Sequence, residues 1–273
     1  MRIYLTECKK SAKVLFVARF IKDRFRKEET IVNFELDTHT HTLASGHARN
    51  TIREMAATAA ERGIRLLGIT EHGPKSPGVC KEYYFNSLKM AGRNVCGVEL
   101  LLGAELNILD ASGRVDLPEQ TLRELDLNIA SLHTPCIAPG SRQENTQAYL
   151  CAMQNPYVDI IGHPDDGRYP VDYEAIVQAA KDCGVLLELN ESSLRPDSSR
   201  KDAWDNDKEM LKLCIRYQVP IAIGSDAHCR DDVGNNSYAL VLLRELRFPE
   251  TLVLNGSAER FKEHLRARRS RAE

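Results

Sequence analysis

The chain has 273 residues, 42% of them apolar, and a formal net charge of −2. That is ample apolar material for one α/β barrel without requiring a second domain. The near-neutral balance lacks the basic excess of a protein that binds nucleic acid across its surface, so no nucleic-acid partner is expected. No run of about 18 consecutive apolar residues exists, so no membrane span is expected either. Eight cysteines without a CxxC pair, in a chain too large to need disulfide staples, read as small, mostly buried thiols in a reducing, cytoplasmic compartment.

Residues 1–31 stand apart, because Lys9, Lys10, Lys13, Arg19, Lys22, Arg24, Arg26 and Lys27 surround a short apolar run at 14–21. The run is too short for a signal peptide and no small-residue cleavage site follows it. A surface-binding helix, a disordered tail and a start codon chosen too early are the three readings. The last two are preferred, since residues 32–37 already read as the opening strand of a domain spanning 32–273.

From residue 33 onward, short apolar runs alternate with helix-like segments, the pattern of βα units around a parallel sheet. Seven runs fall at 33–38, 66–70, 100–106, 127–132, 158–162, 185–190 and 220–224, rich in Ile, Leu and Val without strict alternation, as suits strands covered on both faces. Helices are expected at 51–62, 84–91, 118–124, 146–153, 173–182, 207–217 and 237–246. A last helix from 258 to 273 would carry Arg266, Arg268, Arg269 and Arg271 at its negative end. Seven βα units without a linker favour a closed or nearly closed barrel over an open doubly wound sheet, and the GxGxxG and GxxxxGK[ST] motifs of nucleotide-binding sheets are absent.

What stands at the end of each run is informative. The first leads into His39-Thr40-His41, the second into Thr70-Glu71-His72, and the third carries Glu105. The fourth ends in His133, the fifth in His163-Pro164, and the seventh in Ser225-Asp226-Ala227-His228. Parallel barrels keep their chemistry at the C-terminal strand ends, so these side chains would converge, with His47 folding back from the first loop and only His264 left outside. Imidazole and carboxylate suit Zn, Mn or Fe(II), and nine ligands are too many for one ion. Taken singly, each has a plainer reading: a lone HxH is weak, His163 could be a capped strand end, His72 a turn residue, and Glu105 the partner of an arginine. Their joint placement at strand ends is what favours a metal cluster.

The motifs Asp37-Thr38-His39-Thr40-His41, Thr70-Glu71-His72-Gly73, Glu105, His133, His163-Pro164 and Gly224-Ser225-Asp226-Ala227-His228 resemble those of the PHP (polymerase and histidinol phosphatase) domain family, over roughly residues 33–250. The compact spacing and Asn145-Thr146-Gln147-Ala148 are more similar to the small bacterial phosphatases of the YcdX type than to the histidinol-phosphate phosphatases. The resemblance implies a distorted seven-stranded, TIM-like α/β barrel and three divalent ions (Zn, Mn or Fe). One would be held by His39, His41, Glu105 and Asp226, a second by Glu105 with His133 and His163, and the third by His47, His72 and His228. Glu71 departs from the Asp of many members, with consequences expected for hydrogen bonding behind the ligands.

The expected activity is hydrolysis of a phosphomonoester on a small molecule by a metal-bound hydroxide, with Asp226 or His228 passing a proton to the leaving group. Arg142, Arg168 and Arg195, in loops on the same side, are candidates to clamp the phosphate, Arg195 foremost, although each has the plainer reading of an exposed loop arginine. Rival readings are a phosphodiesterase or exonuclease, a histidinol-phosphate-type phosphatase, a hydrolase of C–N or C–O bonds, and a metal-stabilised binding module without catalysis.

Overall fold

Apolar runs that do not alternate need cover on both faces, and the computed structural model, which describes residues 34–270, supplies it. The strands are β1 (Leu36–Asp37), β2 (Leu66–His72), β3 (Asn94–Val95), β4 (Val98–Asn107), β5 (Asn128–Ser131), β6 (Ile160–Ile161), β7 (Leu186–Asn190) and β8 (Ile221–Gly224). All but β3 are parallel and follow one another in sequence order, with Leu36 opposite Leu66, Leu66 opposite Glu99, and Leu187 opposite Ile221. The helices are α1 (Ile52–Glu61), α2 (Glu82–Ser87), α3 (Glu119–Glu124), α4 (Arg142–Met153), α5 (Tyr173–Cys183), α6 (Ala203–Tyr217), α7 (Ser237–Glu245) and α8 (Ala258–Arg269). The result is the seven-stranded, nearly closed α/β barrel that the strand count predicts.

The seam between β1 and β8 is closed in two ways. Above the strands, Asp226 N–H donates to His39 O and His41 N–H to Ala227 O, each at 2.9 Å. Below, the Asn255 side chain acts as a rung, donating to Leu36 O at 3.1 Å and Ile223 O at 2.8 Å while accepting from Ile223 N–H at 2.7 Å. α8 then plugs the lower mouth: its Phe261 and Leu265 pack with Leu36, Leu66, Ile129, Ile160 and Leu186. With the lower half of the barrel filled by apolar side chains, polar groups collect at the opposite, C-terminal ends.

Several element boundaries differ from expectation. β4 begins earlier because a hairpin precedes it, with Cys96 and Gly97 both at positive φ in a two-residue turn between Val95 and Val98. β6 keeps two residues of its run, since the Asp159 carboxylate takes Asn128 N–H at 2.9 Å. α4 starts four residues before the expected 146, where Ser141 and Glu144 form a capping box. α6 likewise starts at Ala203 rather than 207, and α2 gives way to a 3-10 turn at Leu88–Met90. The cysteines are not mostly buried: of the seven described, Cys214 is buried, Cys96 is exposed and five are half-buried. The expectations for residues 1–31 lie outside the described residues, and no described helix is long and apolar enough to cross a membrane.

Arg266, Arg268 and Arg269 lie in the last turn of α8, as expected, and Arg268 and Arg269 also turn back onto the barrel. Arg268 donates to Met153 O and Asn155 O. Arg269 donates to Leu125 O at 2.6 Å and grips both oxygens of the buried Asp159, at 3.0 and 2.5 Å. Removing one partner of a buried pair strands the other charge, at a cost of about 3 kcal/mol where the cation is partly exposed. Arg269→Ala is therefore expected to lower unfolding stability by about 3 kcal/mol in urea titrations, with the circular dichroism of the native protein unchanged.

Candidate metal centre

Each parallel strand delivers polar side chains at its upper end: β1 leads to His39 and His41, β2 to Glu71 and His72, β4 to Glu105 and Asn107. β5 leads to His133, β6 to His163, β7 carries Glu188 and Asn190, and β8 leads to Asp226 and His228. Glu105 stands at the centre. Its Oε1 lies 2.8 Å from His163 Nε2 and 3.0 Å from His133 Nε2, and its Oε2 lies 2.6 Å from His72 Nδ1, 3.5 Å from His39 Nε2 and 3.6 Å from His41 Nε2. Asp226 Oδ1 approaches His41 Nε2 at 3.3 Å and His39 Nε2 at 3.7 Å. His47 is exposed at the rim, its ring stacked 5.0 Å from that of His72 and 4.6 Å from that of His228. All nine residues expected from the sequence thus share one site.

Three sets of donors lie close enough to share an ion: His39, His41 and Asp226; His41, His72 and His228; and His72, Glu105 and His133. His72 therefore stands between two sets, one of them Glu105's, a different grouping from the division that the family resemblance implies.

The hydrogen bonds behind the rings decide which nitrogens face inward. His39 Nδ1 is 2.7 Å from Glu188 Oε1, His133 Nδ1 is 2.7 Å from Asn107 Oδ1, and His228 Nδ1 is 3.0 Å from Asp226 O. Each partner is an acceptor, so each Nδ1 carries a proton and, in the neutral ring that can bind an ion, each Nε2 presents a lone pair to the cluster. His39 Nε2 and His41 Nε2 are only 3.0 Å apart. Glu105 Oε2 and His72 Nδ1 are buried with no hydrogen bond, despite their close approach. Inward lone pairs and orphaned buried acceptors are costly alone and are satisfied together by cations, so the donor set fits divalent metal ions.

Backbone geometry serves the same convergence. His163 and Asp226 both have positive φ, at 30° and 53°, a left-handed conformation that Asp and His adopt more readily than other non-glycine residues and that here turns both side chains into the cluster. At Gly224 a Cβ would collide with Glu188 Oε1 and the His39 side chain, so only glycine lets β8 pass this close.

The charges are held in place by one another. Burial opposes ionisation of Glu105, but His133, His39 and His72 outweigh it and hold the carboxyl well below its usual range. Burial and the rings of His72 and His228 push His41 well below the histidine value of 6.5, and burial lowers His163 as well. At His39 burial works the same way, yet Glu188, Glu105 and Asp226 overcome it and raise the pKa well above 6.5. In the metal-free protein, His41 and His163 add stability that is complete above pH 6.5 and lost below it, as the unfolded chain takes up protons that the folded one refuses. His39 acts oppositely, its contribution being complete below pH 6.5 and lost as pH rises through its raised folded value. With chelator present, the urea midpoint is expected to fall on the acid side of pH 6.5, and a midpoint that rose steadily on acidification would contradict this assignment.

The three arginines proposed as phosphate clamps are otherwise engaged. Arg142, the first residue of α4, donates to Val171 O and pairs with Asp172; Arg168 grips Asp166; Arg195 lies between Asp197 and Asp232. The guanidinium that does reach the cluster is that of Arg200, which donates to Asp226 Oδ2 at 2.9 Å, Asn190 Oδ1 at 2.9 Å and Ser193 Oγ at 3.1 Å. Sequence reasoning passed over it, and over Glu188 and Ser45. Glu188 had a signal, being a lone carboxylate inside an apolar run, as Glu105 is.

A nearly closed parallel barrel with a cluster of histidines and carboxylates at its C-terminal strand ends defines an α/β-barrel protein built to bind divalent metal. The PHP domain model matches residues 37–192, more than half of the chain, and the chain belongs to that family. It is 42% identical over 237 residues to a probable phosphatase of Clostridium novyi, covering 87% of this chain and 96% of that one. A probable phosphatase of Caldanaerobacter subterraneus is 46% identical over 237 residues, covering 86% and 92%. Among solved structures, the histidinol phosphate phosphatase of Lactococcus lactis, complexed with zinc, L-histidinol and phosphate, matches with a TM-score of 0.54 at 17% identity, covering 79% of this chain and 94% of that one. A putative histidinol phosphatase of Listeria monocytogenes matches with a TM-score of 0.52 at 18% identity, covering 73% and 97%. Those two likenesses are of fold.

Proposed function

We propose that this protein is a metal-dependent phosphatase that hydrolyses a phosphomonoester on a small molecule, with His39, His41, His47, His72, Glu105, His133, His163, Asp226 and His228 holding up to three divalent ions. The observation that carries the reading is the pairing of inward-facing His Nε2 lone pairs with a central, buried Glu105 whose Oε2 has no hydrogen-bond partner. The naming of close relatives as probable phosphatases supports the choice of reaction. Zn, Mn or Fe(II) all suit this donor set. Bound there, such ions supply Lewis acidity, easing loss of a proton from water and neutralising charge on phosphoryl oxygens.

The chain's own residues would do the rest. Glu188 and Asn107 orient His39 and His133. Arg200 holds the outer oxygen of Asp226 and adds the nearest positive charge for a phosphate. Of the two candidates for protonating the leaving group, Asp226 is held well below the usual carboxylate range, because His39 and Arg200 outweigh its burial, and so has no proton to give near neutral pH. His228 keeps its Nδ1 proton on Asp226 O and offers Nε2 to the ions, so neither candidate is placed to give a proton and solvent at the open mouth would supply it.

The test is release of inorganic phosphate from a panel of sugar phosphates, amino-alcohol phosphates including L-histidinol phosphate, nucleotides and a phosphodiester, with Mn, Zn and Fe(II) supplied in turn. Turnover of monoesters in preference to the diester is expected. A metal-loaded protein that cleaves only the diester, or none of the panel, would overturn the reading.

A further inference from the structure

Glu71 lies one residue before His72 and is fully buried, yet it does not point at the cluster. Its carboxylate turns back toward the first loop, where it accepts Thr42 N–H at 3.0 Å, the Thr42 hydroxyl, and the Ser45 hydroxyl at 2.5 Å. Ser45 Oγ in turn accepts His72 N–H at 3.0 Å and stands 3.1 Å from His41 Nδ1.

The proton count along this path has one solution. A serine hydroxyl has a single proton, and a carboxylate can only accept, so Ser45 spends its proton on Glu71. The contact between Ser45 Oγ and His41 Nδ1 then requires Nδ1 to donate. His41 is thereby fixed as the Nδ1–H tautomer, with the Nε2 lone pair turned toward His39 and Asp226. His41 is completely buried and belongs to two of the three donor sets, so its tautomer matters to both. The same serine holds the backbone of His72, whose ring stacks on that of His41 at 4.1 Å. The loop has little freedom to compensate. Gly46 sits at φ 76°, where a Cβ would strike Gly78 O, and Cys80 N–H donates to Ala44 O at 2.9 Å.

We propose that Glu71, acting through Ser45, is a positioning residue that sets the proton polarity of His41 and thereby the affinity of the ion positions built on His41. The inference rests on the reading of the cluster as a metal centre. The accepting oxygen and the reach of Glu71 play separable parts. Because Oε2 accepts from both Thr42 N–H and Ser45, Glu71→Gln would keep its amide oxygen there and preserve the polarity of Ser45, whereas Glu71→Met keeps the length and offers no acceptor. Ser45 then turns its proton onto His41 Nδ1, leaving Nε2–H aimed into the cluster. Glu71→Asp keeps the polarity and shortens the reach.

A purely structural anchor would leave the His41 tautomer unchanged in Glu71→Met; a polarity-setting residue predicts that it reverses there and is kept in Glu71→Gln and Glu71→Asp. Ion affinity is measured by equilibrium dialysis of the full chain against Zn and Mn, with metal content read by mass spectrometry. Glu71→Met is expected to weaken binding by about 10- to 100-fold, the usual loss when a residue orienting a ligand is removed, and Glu71→Gln and Glu71→Asp by less. Ser45→Ala should follow Glu71→Met, and it serves as the readout if Glu71→Met does not fold. Nitrogen NMR of metal-free protein should show His41 as the Nδ1–H form in the wild type and Glu71→Gln and the other form in Glu71→Met. Wild-type and Glu71→Met proteins that bind metal equally well, or Glu71→Gln weaker than Glu71→Met, would overturn this proposal alone. A wild type that takes up no ion would overturn the metal reading together with it.

Discussion

Glu105→Ala is expected to reduce phosphate release by about 10³-fold while leaving the barrel folded. Among the described residues, Glu105 alone approaches His39, His41, His72, His133 and His163 alike, all within 3.6 Å. Without it, ions in the cluster would lose their shared anionic ligand. Lewis-acid stabilisation of a phosphoryl group contributes several kcal/mol, and about 4 kcal/mol at about 1.4 kcal/mol per tenfold gives the stated loss. The fold should survive because the apolar plug of α8 lies at the other end of the barrel. Glu105→Gln, which keeps the shape but not the charge, should lose nearly as much. A variant with more than a tenth of wild-type turnover at saturating metal would show that Glu105 is not the central ligand.

Arg200→Met should show the next largest effect, in both stability and turnover. The guanidinium is half-buried and faces Asp226 directly, and it is the cation that acts on Asp165 and Asp207, whose carboxylate oxygens have no hydrogen-bond partners. Burial and nearby carboxylates together push Asp165 up to about 7, even with Arg200 present to oppose the shift. Methionine fills much of the volume but leaves the Asp226 charge without its partner, at a cost of about 3 kcal/mol in unfolding stability. Phosphate release should fall by about 10²-fold as Asp226 loses the partner of its outer oxygen, a loss typical of removing one electrostatic stabiliser. Urea titration and steady-state kinetics would check both. Unchanged kcat and KM would assign Arg200 to structure alone.

The comparison of sequence with structure turns on where side chains end up rather than on which elements form. The strand ends were legible because each apolar run in a parallel barrel must terminate at the same mouth, so His39, His41, His72, Glu105, His133, His163, Asp226 and His228 could be placed without knowing any loop. Loop residues had no such rule. Arg195 was the favoured arginine, but the chain path lets Arg200, five residues on, return over the strand ends to Asn190 and Ser193. Glu71 was noticed only as a departure from Asp, since its turn toward Thr42 and Ser45 depends on contacts between two loops. The early start of α4 was signalled by Ser141 and Glu144, three residues apart ahead of a helical run, and was missed by starting from the apolar pattern instead. The shortness of β6 was not legible, because Asp159 is claimed by Arg269 from the far end of the chain.

The most direct test of a metal-dependent phosphatase is the metal content of the full chain followed together with phosphate release as a chelator is titrated in and then displaced by added Mn or Zn. The two curves should fall together to no turnover in the ion-free protein and recover together, with at least two ions per chain at full activity, as a cluster too large for one ion requires. Full turnover in a chain stripped of metal, or metal uptake by His39→Ala and Glu105→Ala equal to that of the wild type, would contradict it.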